Sequence, residues 1–222
     1  MLTPAATRKR IFVAENVSFP KRTFPSPPTM SASEPDNDEQ HDWLRRLPEG
    51  FYHGHTTVHW QMTIENRATG WLKPGFHARF RELLLHTMAR FDLARPIYCL
   101  MPDHSHLLWM GLSEAAEQKK AAKFFREHVN HLLDRSLKGI RFQKQAYDHV
   151  LRQSEKGADA VREMAWYIEQ NPVRAGLVEE AAQWPYLGCM IAGYPTLHPL
   201  DAGYWDKFWK IRAAMVDARR SS

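Results

Sequence analysis

The chain has 222 residues, of which 44% are hydrophobic and 12% aromatic, and it carries a formal net charge of +5. That length suits one domain with appendages, and no apolar run approaches the ~20 residues that a membrane helix needs. Two cysteines are too few for a disulfide framework and suit a reducing cytoplasm, while a pI near 9.2 favours a polyanionic partner without specifying it.

Residues 1 to about 45 differ from the rest. Pro20, Pro25, Pro27 and Pro28 are mixed with Ser and Thr, and the run from Ser31 to Asp42 is dense in Asp and Glu. Such a segment buries too little apolar surface to offset its chain entropy, so a disordered tail is expected. Its basic residues (Arg8 to Arg10, Lys21, Arg22) read as a solvated tail, and Met30 stands as an alternative start of translation. Arg8 to Arg10 are followed only by Ile11-Phe12-Val13, which is too short for a signal peptide.

The body begins near residue 46. From Thr57 to Ile64 the residues alternate, with Val58, Trp60, Met62 and Ile64 facing one way and His59, Gln61 and Thr63 the other, as in a half-buried strand. After a turn at Asn66 to Gly70, a helix is expected from Pro74-Gly75, its stripe being Phe76, Phe80, Leu83, Leu84, Thr87 and Phe91. Arg95-Pro96 ends that pattern, and Ile97 to Met101 reads as a short buried strand. Pro102-Asp103 makes a turn into a further strand from His104 to about Met110.

A long helix is expected from about Ser113 to Leu137, with Ala121, Phe125, Val129, Leu132 and Leu133 inward and Lys119, Lys123 and Arg126 on another face. Gly139 to Leu151 reads as a loop and short strand. A second long helix starts near Gly157 and ends at Asn171-Pro172, because proline lacks the donor and disfavours helix before it. Val173 to Trp184 is a compact helical or turn segment, and residues 191–222 form an aromatic and basic extension carrying Trp205 and Trp209.

Strand, helix, strand, strand, helix, strand is the order of a ferredoxin-like α/β sandwich, an α+β fold with an antiparallel sheet. Its first and third strands are neighbours. His59, Gln61 and Thr63 are then expected beside His104 and His106 as a polar floor, provided neither strand slips by one residue.

His104 and His106 alternate with Ser105 on their strand and so point the same way, placed to grip one metal ion. An H-x-H pair alone is weak in a chain with 12 histidines, and His53-Gly54-His55 is a second one. Tyr167 and Asn171 add to it, for they are four apart on one helix face. A phenol is a poor nucleophile unless a nearby cation stabilises its phenolate, and an amide oxygen is a suitable third donor for Mg²⁺ or Mn²⁺. Read blandly, Tyr167 is a half-buried core residue and Asn-Pro a helix stop.

Tyr-Ile-Glu-Gln-Asn-Pro-Val-Arg-Ala-Gly-Leu-Val at 167–178 resembles the tyrosine motif of the REP-associated tyrosine transposases, and Met-Pro-Asp-His-Ser-His-Leu-Leu at 101–108 is similar to their His-hydrophobic-His motif. Phe142-Gln143, Asp148 to Arg152 and Trp184-Pro185-Tyr186 resemble the family's lesser signatures, and the likeness spans roughly residues 50 to 190. It implies a single-tyrosine HUH transposase domain over residues 46–190. His104, His106 and Asn171 would hold a divalent metal, Mg²⁺ or Mn²⁺. Tyr167 would attack a phosphodiester in single-stranded or hairpin DNA, leaving a 5′-phosphotyrosine and a free 3′-hydroxyl. Lys119, Lys123, Arg126, Trp205 and Trp209 are the expected DNA contacts.

The sequence departs from that family at Ser105, where a hydrophobic residue is usual; a buried hydroxyl there needs a partner. Asp103 reads first as a turn residue and second as a group that tunes a histidine. Two rival readings stand beside strand transfer: a hairpin-binding protein of the same fold that does not cleave, and a phosphodiesterase that uses water while Tyr167 is structural. Monomer and homodimer are both open.

Overall fold

A computed structural model describes residues 47–151 and 157–221. The acidic and basic tail, the alternative start at Met30 and Arg152 lie outside the described residues.

The alternating run forms β1 (Thr57–Thr63). The Pro-Gly start opens α1 (Pro74–Arg90), with Pro at the first turn where its missing N–H costs nothing. β2 (Leu93–Met101) and β3 (His104–Gly111) form a hairpin, followed by α2 (Gln118–Ser136) and the short β4 (Tyr147–Val150). Then come α3 (Ala158–Glu169), a single turn α4 (Asn171–Arg174), β5 (Leu187–Met190) and α5 (Tyr204–Arg220). The sheet is antiparallel throughout, in the order β4-β1-β3-β2-β5. The first four strands are the ferredoxin-like set, and β5 extends it beside β2.

Each sheet face has its own core. On one, Val58, Trp60, Met62, Tyr98, Leu100, Leu107 and Trp109 pack against Phe76, Phe80 and Leu84 of α1 and Ala121, Phe125 and Val129 of α2. On the other, Ile97, Cys99, Met101, Leu108 and Met110 pack against Val161, Ala165 and Ile168 of α3 and Tyr204 and Phe208 of α5.

β2 differs from its expected course. It begins at Leu93 and runs through Arg95-Pro96, which does not break the strand, because the register shifts there on both sides. A bulge is where a sheet tolerates proline, and the Pro96 carbonyl accepts a hydrogen bond from the Tyr204 hydroxyl. The C-terminal segment also differs. It is a helix laid on the second core, with Tyr204, Phe208 and Val216 buried and Trp205 and Trp209 partly buried against them.

The lesser sequence signatures are joints of this frame. The Trp184 indole donates to the Leu100 carbonyl at 2.8 Å, and Leu100 N–H donates to the Tyr186 carbonyl, so the approach to β5 is tied to β2. Phe142 bridges to Ile64, and its N–H donates to the Asn130 side chain at 2.7 Å. Among the described residues no helix is long and apolar enough to cross a membrane.

Candidate active site

The floor of the site follows from register. Across β1 and β3, Thr63 lies opposite His104, Gln61 opposite His106 and His59 opposite Leu108. Side chains directly opposite share a face, so the expected polar floor forms, with His59, Gln61, His104 and His106 on the face that α3 and α5 cover in part. The hairpin turn that carries His104 is fixed from both sides. The Asp103 carbonyl accepts from Ile64 N–H at 2.8 Å, and the Pro102 carbonyl accepts from the Trp71 indole at 2.6 Å.

The imidazoles form a chain. His104 Nδ1 meets an Asp103 carboxylate oxygen at 2.6 Å, His104 Nε2 faces His106 Nε2 at 3.0 Å, and His106 Nδ1 meets His59 Nε2 at 2.9 Å. All three rings have their basicity depressed, chiefly by burial. His59 falls to about 3, with the charges of His149 and His104 adding to the effect. His106 lies well below the usual range, and beyond burial it feels His59, His104 and Arg174. His104 falls as well, although its bond to Asp103 works in the other direction. Asp103 is also paired with Arg67 at 3.0 Å, and these bonds hold its carboxyl below the usual range against the effect of burial. It is thus more than a turn residue. A carboxylate on Nδ1 fixes the tautomer that leaves Nε2 with its lone pair.

Neutral imidazoles with two Nε2 atoms facing each other are what a cation needs. The two Nε2 atoms stand 3.0 Å apart, and together they could hold one divalent cation. His59 bonds the far nitrogen of His106 and so orients that ring from behind. Among the described residues no three His, Cys, Asp or Glu side chains are arranged to hold a metal, which leaves a third protein donor to another residue type.

α3 brings Tyr167 over this floor. Val161, Ala165 and Ile168 anchor the helix in the second core, and Tyr167, on its flank, sets its ring edge-on to His106 at 6.0 Å and to His59 at 6.2 Å. Asn171 caps the helix end, its amide N–H₂ donating to the Tyr167 carbonyl at 3.0 Å and the Ile168 carbonyl at 3.3 Å. Its Oδ1 accepts from Arg174 at 3.1 Å. An amide oxygen has two lone pairs, so this bond leaves one for a further partner.

Arg174 is the residue that sequence reasoning passed over. Its guanidinium sits 4.3 Å from the centre of the Tyr167 ring and donates to the Tyr167 carbonyl at 2.9 Å. The contact is a cation over an aromatic face, which holds the ring in place. The signal lay in its seven-residue spacing from Tyr167, which returns to the same helix face only because α4 continues the turn after Pro172.

Other candidate residues lie elsewhere. Lys119, Lys123 and Arg126 line a cavity of about 560 Å³ with Lys120 and Lys144, opposite Glu49, beside α2 and the approach to β4. Lys119 also lies over the Tyr52 ring at 5.4 Å, and Lys123 is 4.0 Å from Glu127. Trp205 and Trp209 meet Phe208 edge-to-face in the second core, so their placement lends no support to the expectation that they meet DNA. The second histidine pair is occupied otherwise: His53 bridges to Glu117, while His55 meets the Gly111 carbonyl at 3.4 Å and Glu114 at 3.5 Å.

No protein-family profile matches the sequence, and no curated protein matches it either. Among solved structures, the chain is similar to a REP-associated tyrosine transposase bound to a REP hairpin. The TM-score is 0.54 at 20% identity, over 66% of this chain and 81% of that one. At that identity the likeness establishes a shared fold, an α+β sandwich with an antiparallel sheet.

Proposed function

We propose that this protein is a metal-dependent DNA strand transferase in which Tyr167 is the nucleophile. The observation that carries the reading is the placement of the Tyr167 ring against His106 and His59, beside two imidazole nitrogens 3.0 Å apart. The solved structure with the same fold holds a DNA hairpin, which supports hairpin or single-stranded DNA as the substrate.

In this reading His104 and His106, with the Asn171 oxygen as third donor, hold Mg²⁺ or Mn²⁺. The ion when bound supplies a positive charge that polarises the phosphate under attack. Asp103 and His59 hold the two imidazoles in the tautomers and orientations that binding needs. Arg174 holds the Tyr167 ring and the Asn171 side chain in place. Tyr167 Oη gives up its proton and bonds to phosphorus; the bond from phosphorus to the 3′ oxygen breaks, leaving a 5′-phosphotyrosine and a free 3′-hydroxyl. That ester conserves the energy of the broken bond, so the same site can rejoin strands. The cavity lined by Lys119, Lys123 and Arg126 suits the phosphate backbone at a distance from the chemistry.

Hairpin binding without cleavage is the second reading, and one observation favours it: Arg174 donates to the Asn171 oxygen that the metal would use and competes for it, leaving a single lone pair. Incubating the full chain with hairpin-bearing single-stranded DNA and Mn²⁺, then running a denaturing gel, separates the possibilities. Strand transfer predicts a covalent protein–DNA adduct with the wild type and none with Tyr167→Phe, which still binds. Undiminished cleavage by Tyr167→Phe would mean a water-using phosphodiesterase. Binding without cleavage by the wild type would leave the silent binder.

A further inference from the structure

The row of side chains that crosses the sheet through His106 is covered at one end and open at the other. Reading from β4, the register places Tyr147 opposite Gln61, Gln61 opposite His106, His106 opposite Cys99 and Cys99 opposite Leu187. Partners directly opposite share a face. Cys99 and Leu187 are buried beneath α3 and α5, at 0% and 4% exposure, whereas Gln61 is half-buried and Tyr147 is 53% exposed. A second row repeats the pattern, with His149 half-buried beside His59. The cover therefore reaches His106 and His59, both buried, and the floor opens outward at Gln61, Tyr147 and His149. Two strand spacings of ~4.8 Å put Tyr147 about 10 Å from the His106 position.

We propose that this uncovered strip is the seat of the unpaired nucleotides that adjoin the attacked phosphate, with the Tyr147 ring as the platform on which a base stacks. The proposal rests on the strand-transfer reading and adds to it a residue that positions the strand. The strip is polar along its floor, through Gln61 and His149, which does not suit an apolar peptide or a lipid chain. Its one large exposed surface is a flat aromatic ring, and every base has a face that stacks on such a ring. Its inner border is cationic, for Arg174 stands there beside Tyr167. Near His104 the carboxylate of Asp103 is neutralised by Arg67. The strip is continuous with the candidate active site, and the cation at its inner end complements a phosphate chain.

The experiment is fluorescence anisotropy on the full chain with two labelled DNAs, a stem-loop carrying unpaired thymidine flanks on both sides and the same stem-loop trimmed blunt. Tyr147→Ala is expected to weaken binding of the flanked DNA roughly 5- to 150-fold, the range for loss of one stacked base, and to leave the blunt DNA unchanged. Tyr147→Phe and Tyr147→Trp keep the wild-type preference. An exposed edge-strand position tolerates all three changes, and circular dichroism confirms the fold. Equal affinity of Tyr147→Ala and wild type for the flanked DNA would overturn the proposal, as would an equal loss on both DNAs, while leaving strand transfer standing. Failure of the wild type to bind either DNA would overturn both readings.

Discussion

The two faces of one sheet do different work here. Beneath α1 and α2 the face is apolar across all of β1, β3 and β2, and Trp60, Trp109 and Phe125 are fully buried. Beneath α3 and α5 the face begins apolar at Cys99 and Leu108 and turns polar at His104, His106 and His59. Alternation along β3 makes the division: Leu107 and Trp109 go to one side, His104 and His106 to the other. The closed face supplies the apolar burial that holds the strands in register. The half-open face can then present imidazoles at fixed spacing without carrying the fold. Each face nevertheless holds an exception, and the exceptions are where the comparison can be tested.

The largest effect is expected on the half-open face. His106→Ala removes one of the two facing nitrogens, so metal-dependent adduct formation should disappear while hairpin affinity is largely kept. Stability should fall by only about 1–3 kcal/mol, because the His59 ring loses its partner. Gel assay, anisotropy and thermal melting read the three quantities. Collapse of affinity together with the fold would assign His106 to the core and erase the distinction between the faces; His104→Ala, at a half-buried position, then decides whether the activity depends on the pair.

On the closed face the exception is Arg95. It is fully buried, none of its three side-chain nitrogens has a hydrogen-bond partner among the described residues, and its guanidinium lies 5.0 Å from the Trp109 ring and 5.7 Å from Phe125. Burial depresses its pKa well below the ordinary value. Contacts with aromatic faces return ~0.5–2 kcal/mol, less than the several kcal/mol that an unpaired buried charge costs. Arg95→Met should therefore raise stability, by about 1–4 kcal/mol, and leave cleavage unchanged. A lower melting temperature would show that the closed face needs this cation.

The fold and the site were legible to different depths. Alternation in β1 and β3 and the β-α-β-β-α-β order were enough to pair those strands and to place His59 and Gln61 beside the H-x-H pair, because a period of two leaves only one face for each residue. Arg95-Pro96 misled because proline at a bulge looks in sequence like proline at a stop; the difference lies in two neighbouring strands that shift register together. α5 was hidden for a similar reason. Its aromatic residues fit an open DNA-binding surface as well as a core, and only packing against Ile97 and Leu108 decides between them. The bond from His59 to His106 and the pairing of Asp103 with Arg67 join residues far apart in sequence, which no local pattern encodes.

A smaller effect is expected from acid. His59 titrates at about 3 and His77, whose Nε2 is 2.9 Å from the Tyr98 hydroxyl, at about 4; burial is the first cause in both, and Arg81 adds to it at His77. An unfolded histidine titrates near ~6.5. Between these values the unfolded chain binds more protons, so the stability that neutral His59 and His77 contribute is present above pH ~6.5 and is lost as pH falls toward 4 and then 3. Metal-free protein should melt at progressively lower temperature from pH 7 to pH 4. His59→Asn and His77→Asn should each flatten part of that slope, one on each face. A slope unchanged by both would place the acid sensitivity elsewhere.

The smallest effect concerns Ser105, which stands between the two histidines but points to the closed face. It is opposite Met62 on β1 and Leu100 on β2, it is fully buried, and its hydroxyl has no hydrogen-bond partner among the described residues. The sequence required a partner for that hydroxyl; the structure provides none. An unsatisfied buried hydroxyl costs about 1–3 kcal/mol, and alanine removes it while leaving the Cβ contacts in place. Ser105→Ala should therefore stabilise the protein by about 1 kcal/mol, a rise of roughly 2–4 °C in melting temperature for a domain of this size. Adduct formation should stay at the wild-type level, since the side chain lies on the face away from His104 and His106. Loss of adduct at unchanged or higher stability would mean that the two faces communicate through β3, and the division of labour between them would then fail at the strand that carries the histidines.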